Sequence, residues 1–282
     1  MRSVLVAALF TGIAFAASVP VREITTEFPL VGLQPAPYFR HGRVFQLLQV
    51  LKVYERDGTF AFYAPIRTPD GNLTTARDIS VDSDDSFVVA TDQGLALLDS
   101  RGLQTGFIKT NGFWVGHLVI TEDHSVWVLG HPERREKDYT VLRKYSRDGA
   151  LLGSWLPSST FAPGTPEPGS EGGRTRLMAS GNEIAVAAGG DLIHLDGDGK
   201  VLGRMRLDKS MKLREFAFTS DGRIYGWGIN DGLVLFDLEA GTGKKMETPY
   251  PYDFFGSDEA TLVFYKDKGD GMTTVFWFKQ PD

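Results

Sequence analysis

Eight side chains that could bind a ligand or catalyse a reaction stand near the starts of predicted strands in different parts of the chain. They comprise three arginines, three carboxylates, one histidine and one tryptophan: Arg77, Asp78, Trp114, His117, Arg176, Arg214, Glu215 and Asp253. Arginine binds anionic groups through charge-assisted hydrogen bonds, but a neighbouring carboxylate can occupy the same donors. The set therefore predicts either a site for an anionic or polar ligand or a group of ordinary ion pairs, and the sequence leaves both open.

A catalytic interpretation of these residues depends on His117. It would act as a general base only with a partner that orients it, and Asp78 is the candidate. The other four histidines show no metal-ligand spacing: His41, His124, His131 and His194. No Gly-x-Ser-x-Gly motif is present either. The chain has no cysteine, which excludes thiolate metal ligands and a cysteine nucleophile. We therefore predict no catalytic residue, no metal and no cofactor.

Two aspartate-rich segments place oxygen atoms at alternate positions, a pattern that also suits calcium. They are residues 82–85 (DSDD) and residues 196–199 (DGDG), and neither is followed by the glutamate that completes an EF-hand loop. Both segments fall where a strand-rich repeat needs hairpin turns, for which Asp and Gly are preferred. The sequence therefore predicts turns at both places.

The N-terminus and the overall charge indicate the compartment and narrow the range of partners. Arg2, an apolar run over residues 4–15 and the small-x-small pattern around Ala16 predict a secretory signal peptide over residues 1–16. We expect residues 17–282 to form one domain in the periplasm or outside the cell. The net charge of −6 argues against nucleic acid or an anionic membrane as the partner. No later segment is apolar enough to span a membrane, and we expect a monomer.

A repeat organises the remainder of the chain. Short apolar runs alternate with Asp/Gly turns, and five of these turns have glycines 44, 47, 50 and 42 residues apart: Gly58, Gly102, Gly149, Gly199 and Gly241. A second set of turns lies around residues 84–85, 123–124, 181–182, 221–222 and 258–259. Four strands in 40–50 residues are typical of a propeller blade. The fold class predicted is all-β, with very little helix.

Counting the blades predicts a closed ring. Five four-stranded blades are expected over residues 31–66, 76–110, 117–156, 176–208 and 213–248, and a last one over residues 252–278 has only three strands. A spare strand over residues 21–28 could complete the last blade and remove its exposed edge. We therefore predict a six-bladed β-propeller whose last blade is closed by the N-terminal strand.

The propeller geometry makes two further predictions about the channel. Inner strands run side by side around the axis, so Arg77, Arg176 and Arg214 are expected to converge in one pocket. Insertions at residues 130–139 and 158–175 should overhang the same mouth, since both follow connections that emerge on that face. Trp114 is expected to precede an inner strand near this mouth, whereas the other tryptophans should fill space between blades.

The repeat text resembles that of a known group of propellers. Residues 76–82 (ARDISVD), 86–90 (SFVVA) and 95–102 (LALLDSRG) are similar to NHL repeats and to the wider TolB-like six-bladed propellers. This resemblance implies the fold, whereas the functions in the group range over scaffolds, peptide-amidating lyases, lactonases and RNA-binding modules. Lactonase-like members hold a divalent ion with Glu, Asn and Asp at inner-strand starts. Here arginines stand at those positions and Asn does not, so no such metal site is predicted.

These observations favour a binding function. We expect an exported β-propeller that presents the mouth of its channel to a protein, a peptide or a small polar ligand. The alternative is a lactonase-like hydrolase or a lyase acting at the same mouth.

Overall fold

The computed structural model describes residues 19–26, 37–47, 50–135, 137–161, 175–208, 210–211, 213–228, 230–248, 253–268 and 272–280. The predicted signal peptide lies outside these residues. Within them the chain forms 24 strands and one short 3-10 helix (Ser158–Thr160), so the expectation of very little helix is confirmed.

The strands form six antiparallel sheets of four strands each. The first strand, β1 (Arg22–Thr26), belongs to the last sheet. Blade 1 contains β2 (Tyr38–Arg40), β3 (Arg43–Leu47), β4 (Leu51–Tyr54) and β5 (Phe60–Ala64). Blade 2 contains β6 (Ala76–Val81), β7 (Phe87–Thr91), β8 (Gly94–Leu98) and β9 (Gln104–Lys109). Blade 3 contains β10 (Phe113–Ile120), β11 (Val126–Pro132), β12 (Thr140–Tyr145) and β13 (Leu151–Pro157).

The second half of the ring repeats this order. Blade 4 contains β14 (Arg176–Ser180), β15 (Glu183–Ala188), β16 (Asp191–Leu195) and β17 (Val201–Arg206). Blade 5 contains β18 (Glu215–Phe218), β19 (Ile224–Gly228), β20 (Gly232–Asp237) and β21 (Thr242–Met246). Blade 6 contains β22 (Asp253–Asp258), β23 (Thr261–Asp267), β24 (Thr273–Lys279) and β1. The chain is therefore a six-bladed β-propeller, as predicted.

The ring closes through the N-terminal strand. Strand β1 pairs antiparallel with β24, from Arg22 opposite Trp277 to Thr26 opposite Thr273. Ile24 is buried in a cluster that joins blade 6 to blade 1, with Phe39 among its members. Since β1 supplies the outer strand that blade 6 lacks, the predicted closure is confirmed.

Four of the five predicted Asp/Gly turns dock on the preceding blade, whereas a Cβ on Gly241 would meet nothing within 4 Å. The turn glycines have left-handed backbones, with φ of 86° at Gly58, 83° at Gly102, 93° at Gly149 and 82° at Gly199. A Cβ on Gly58 would lie 3.1 Å from Thr25 O, and one on Gly102 would lie 2.6 Å from the Phe62 ring. A Cβ on Gly149 would lie 3.6 Å from Ile108, and one on Gly199 would lie 2.2 Å from the Trp155 ring. These neighbours belong to the outer strands of blades 6, 1, 2 and 3. Glycine thus meets two requirements at once, a positive φ and a close approach.

The two aspartate-rich segments form hairpin turns, as the sequence predicts. Asp196 Oδ1 accepts hydrogen bonds from the backbone of Asp198 at 3.0 Å and of Lys200 at 2.9 Å. Ser86 N donates to Asp84 Oδ1 at 2.9 Å in the other turn. In the part of the chain that the structure describes, no group of three His, Asp or Glu side chains is placed to hold a metal ion.

The inner strands of blades 3 and 1 differ most from the sequence prediction. Strand β10 begins at Phe113 rather than His117, because a β-bulge between Val115 and His117 lets the pairing with β11 continue. Trp114 therefore lies inside the inner strand instead of preceding it. The inner strand of blade 1 is β2, and residues 31–36 of the predicted blade lie outside the described residues.

The two insertions meet on one face. The backbone N–H of Ser158 donates to Tyr139 O at 2.7 Å, and that of Ser159 donates to Asp138 Oδ1 at 2.8 Å. Residues 162–174 of the second insertion lie outside the described ranges, and with them Arg174. The described parts of both insertions therefore lie side by side, but none of their residues lines the channel, so the expected overhang of the mouth stays a prediction.

Candidate functional site

The inner strands of all six blades line a central channel with a volume of ≈ 600 Å³. We call the end where these strands begin the upper mouth and the end where they turn into the second strands the lower mouth. Asp78, His117, Arg176 and Glu215 line the channel near the upper mouth. They come from blades 2, 3, 4 and 5, so the fold brings together residues that are far apart in sequence.

His117 connects three blades through its two ring nitrogens. Its Nδ1 lies 3.3 Å from Asp78 Oδ2 and its Nε2 lies 3.0 Å from Thr175 Oγ1. A carboxylate only accepts hydrogen bonds, so Nδ1 is the donor, and the Nε2 of a neutral ring then accepts the Thr175 hydroxyl proton. The order of groups is carboxylate, imidazole and hydroxyl.

The Asp78 carboxylate is held in place by the backbone. Ile79 N donates to Oδ1 at 2.9 Å, and Leu118 N donates to Oδ2 at 3.0 Å. The second of these bonds comes from blade 3, so the same oxygen that faces His117 also joins the two inner strands. Asp78 therefore orients the imidazole from a fixed position.

Arg176 bridges blades 4 and 5. Its guanidinium donates to Glu215 Oε2 at 2.9 Å and to Thr175 O at 3.3 Å. Burial lowers the pKa of Arg176, but the carboxylates of Glu215 and Asp78 raise it, with a net rise above the ordinary value. Arg176 is thus a fixed positive charge between two carboxylates.

The wall between blades 5 and 6 is acidic. Burial, together with the carboxylates of Asp253, Glu215 and Asp267 and against the opposing charge of Arg214, raises the pKa of Tyr265 to about 12. Tyr265 stands opposite Asp253 in the pairing of β22 with β23. Its phenol is therefore a neutral hydrogen-bonding group among carboxylates at neutral pH.

Arg77 is directed away from the channel by a β-bulge. Ala76 and Asp78 pair with consecutive residues of β7, so Arg77 is the extra residue of the bulge and is aimed elsewhere. Its Nε donates to Asp92 Oδ1 at 2.6 Å, and its guanidinium carbon lies 4.5 Å from the centre of the Trp114 ring. Trp114 also stacks on His131, with ring centres 5.0 Å apart.

The structure thus divides the eight predicted residues. Asp78, His117, Arg176 and Glu215 line the channel, whereas the other four are not among its lining residues: Arg77, Trp114, Arg214 and Asp253. The prediction that Arg77, Arg176 and Arg214 converge in one pocket is wrong: of the three, only Arg176 lines the channel, whereas Arg77 is bound by a local carboxylate and Arg214 is exposed. Thr175 and Tyr265 were not predicted from the sequence. Thr175 is marked there only by its place beside Arg176, and Tyr265 only by its position opposite Asp253 in the strand pairing.

An apolar collar lies directly below the polar mouth. The next residue of each of these strands also lines the channel, and all four are apolar: Ile79, Leu118, Leu177 and Phe216. A few polar groups above an apolar wall are typical of sites for small ligands. The four side chains are 1–7% exposed and belong to the apolar clusters between blades, so the collar supports the polar mouth from below.

The comparisons with known proteins support the fold. No family model and no curated protein matches the chain. The chain is similar to the extracellular domain of BT4673 from B. thetaiotaomicron, with 11% identity and a TM-score of 0.54 over 88% of this chain and 33% of that one. It is similar to a protein of unknown function from Bacteroides caccae, with 12% identity and a TM-score of 0.53 over 90% of this chain and 86% of that one.

Likeness at these identities shows the fold alone. The chain spans about one third of the length of the first of these proteins. Within the described residues, none of the helices has the length and apolarity needed to cross a membrane.

Proposed function

We propose that this chain is an exported binding module that holds a small polar ligand at the upper mouth of its channel. The observation that carries the proposal is the meeting of four polar side chains from four blades at one mouth. Asp78 contacts His117, and Arg176 contacts Glu215. All four side chains keep between 17% and 30% of their surface exposed, so they are fixed and yet reachable from the channel. The channel volume of ≈ 600 Å³ suits a small ligand better than a protein or peptide.

The resemblance to NHL and TolB-like repeats supports a binding role without naming the ligand, and we extend it to this chain as part of the proposal. Arg176 would bind an anionic or acceptor group of the ligand through charge-assisted hydrogen bonds. Asp78 and Glu215 would receive donor groups such as an amine or hydroxyl. A ligand that carries both kinds of group therefore fits the site best.

Replacement of Arg176 tests the site. We expect Arg176→Gln to lower the affinity about tenfold or more, because a hydrogen bond to a charged group contributes about 1.5–3 kcal/mol and 1.4 kcal/mol is tenfold. The measurement is titration calorimetry after a thermal-shift screen of amino acids, small carboxylates, amines and sugars. Arg101→Gln is the matched control, since Arg101 pairs with Asp99 in a turn outside the channel lining. Equal affinity of both variants for a screened ligand would contradict the proposal.

The hydrolase alternative is favoured by the order Asp78, His117, Thr175, which is that of an acyl-transfer triad. Against it, Thr175 is 1% exposed and does not line the channel, so a substrate carbonyl cannot approach its hydroxyl. Both nitrogens of His117 are also occupied. We therefore propose binding rather than hydrolysis, with His117 holding blades 2, 3 and 4 together through its contacts with Asp78 and Thr175.

An ester and lactone screen distinguishes the two functions. We expect no turnover above the uncatalysed rate in the wild type and no change on Thr175→Val. Turnover that Thr175→Val abolishes while ligand binding persists would make the hydrolase the better description.

Export is the remaining part of the proposal. When the chain is produced with its own N-terminus in a bacterial host, we expect the protein to leave the cytoplasm and to begin at Ala17. Intact mass measurement of the envelope fraction checks this, since removal of residues 1–16 changes the mass by a known amount. Recovery of the uncut chain in the cytoplasm would rule out the signal peptide.

A further inference from the structure

The lower mouth contains a histidine that touches carboxylates of two other blades. His41 Nδ1 lies 2.7 Å from Asp85 Oδ1 of blade 2, and its Nε2 lies 3.3 Å from Glu259 Oε1 of blade 6. His41 itself belongs to the turn between β2 and β3 of blade 1. A neutral imidazole has only one N–H, whereas an imidazolium donates from both nitrogens. This geometry is therefore complete only when the ring is protonated.

A second histidine occupies the corresponding turn of blade 3. His124 Nδ1 lies 2.9 Å from both carboxylate oxygens of Asp82 in blade 2. The hydrogen bond and charge of Asp82 raise the pKa of His124, burial lowers it, and Asp84 raises it against an opposing effect of Arg147. The backbones of both histidines are left-handed, with φ of 50° at His41 and 61° at His124.

The two histidines hold the same turn of blade 2 from its two sides. His41 contacts Asp85 at one end of this turn and His124 contacts Asp82 at the other, so blade 2 is joined to blades 1 and 3. His41 also joins blade 1 to blade 6 at the point where the ring closes. Other charged groups nearby are Asp84 and Arg147 beside His124, Arg22 beside Gly42, and Arg40 and Glu259 beside Asp258.

We propose that His41 and His124 form a pH-sensitive closure of the lower mouth, which fastens blades 6, 1, 2 and 3 when the two rings are protonated and loosens when they are neutral. The proposal concerns the opposite end of the channel from the ligand site and does not depend on the proposed function.

Asp258 is a further group at this end of the channel whose protonation stabilises the closed ring. It is buried and accepts hydrogen bonds from Gly42 N at 2.7 Å and from Trp277 Nε1 at 2.9 Å, which links blade 6 to blade 1. Burial raises its pKa, the two hydrogen bonds lower it, and the charge of Glu259 raises it, with a net rise. The charged carboxylate is thus the less favourable form in the closed ring.

The sign of the pH effect follows from linkage. A group whose pKa is raised by folding, as that of His124 is, stabilises the fold below its unfolded pKa, about 6.5 for histidine, and this stabilisation is lost as pH rises through the folded pKa. Carboxylates with lowered pKa values, such as Asp84 and Asp123, stabilise the fold at higher pH. Their stabilisation is lost only as pH falls below their unfolded pKa of about 4. Measurements between about pH 5.5 and about pH 8 therefore exclude the carboxylates with lowered pKa values, and the histidine variants separate the effect of His41 and His124 from that of Asp258.

The test compares urea unfolding midpoints at these two pH values. We expect the wild-type midpoint to be higher at the lower pH, and the double variant His41→Gln/His124→Gln to lose at least half of that difference. His131→Gln is the control, since His131 stacks on Trp114 at the upper mouth, and it should keep the difference. A double variant that retains the full difference, or a wild type without one, would overturn the proposal.

Hydrogen exchange of the wild type supplies a second measurement that needs no variant. After correction for the intrinsic rate, we expect amides of residues 37–47 to lose protection on going to the higher pH, whereas those of residues 232–237 in blade 5, which contain no histidine, keep theirs. Equal changes in both segments would show that the closure does not respond to pH, even if the double variant failed to fold.

Discussion

Removing residues 21–26 should prevent the propeller from remaining folded and soluble. These residues include β1, whose five residues pair with β24, and without them β24 becomes an exposed edge rich in aromatic side chains. Such an edge is a template for aggregation. Replacing Ile24 alone with alanine should lower the free energy of unfolding by about 2–5 kcal/mol, whereas the total for a typical domain is about 5–15 kcal/mol.

Single substitutions separate the loss of packing from the loss of the strand. Ile24→Ala should lower the free energy of unfolding by the amount given above, because its side chain is 5% exposed in the cluster that joins blades 6 and 1. Glu23→Ala, on the exposed side of the same strand, should leave it within about 0.5 kcal/mol. Urea unfolding measures both, and light scattering follows the truncated chain. A truncated chain with wild-type solubility and melting temperature would show that the ring closes in another way.

Gly199→Ala should be among the most destabilising single substitutions in the turns. At a φ of 82° an alanine costs about 1–2 kcal/mol, and its Cβ would also lie 2.2 Å from Trp155 Nε1. Overpacking of this kind costs about 1–3 kcal/mol more, since the indole must move against blade 3. We therefore expect a total loss of about 2–5 kcal/mol.

Gly222→Ala is the matched control for the backbone. Gly222 has a φ of 83° in a turn of the same kind, but a Cβ there would meet nothing within 4 Å. It should lose only the backbone contribution of about 1–2 kcal/mol. The difference between the two variants in urea unfolding measures the docking of blade 4 on blade 3. Equal losses would show that the Asp/Gly period reflects turn conformation alone.

The sequence by itself determined the architecture. Strand alternation and turn residues depend on neighbours in the chain, and the glycine period at Gly58, Gly102, Gly149 and Gly199 reports the contact that each of blades 1–4 makes with the one before it. The count of strands then required β1 to close the last blade. These features are visible in one dimension because they are local or repeat with the blade.

The candidate site could be predicted only in part. Asp78, His117, Arg176 and Glu215 were expected at inner-strand starts and do line one channel. Arg77 was expected with them, but it is the extra residue of a bulge and binds Asp92 instead. A bulge changes the direction of a side chain without any marked change in residue type, so the alternation of the sequence cannot reveal it.

Only the tertiary structure decided which charges meet. Thr175 hydrogen-bonds to His117 across 58 positions, and His41 contacts Glu259, which follows it by 218 positions (259 − 41). Neither pair has a sequence signal, because both depend on how far each blade is rotated against the next. The packing of the apolar faces between blades sets this rotation, and the charged groups at the two mouths meet where that packing places them.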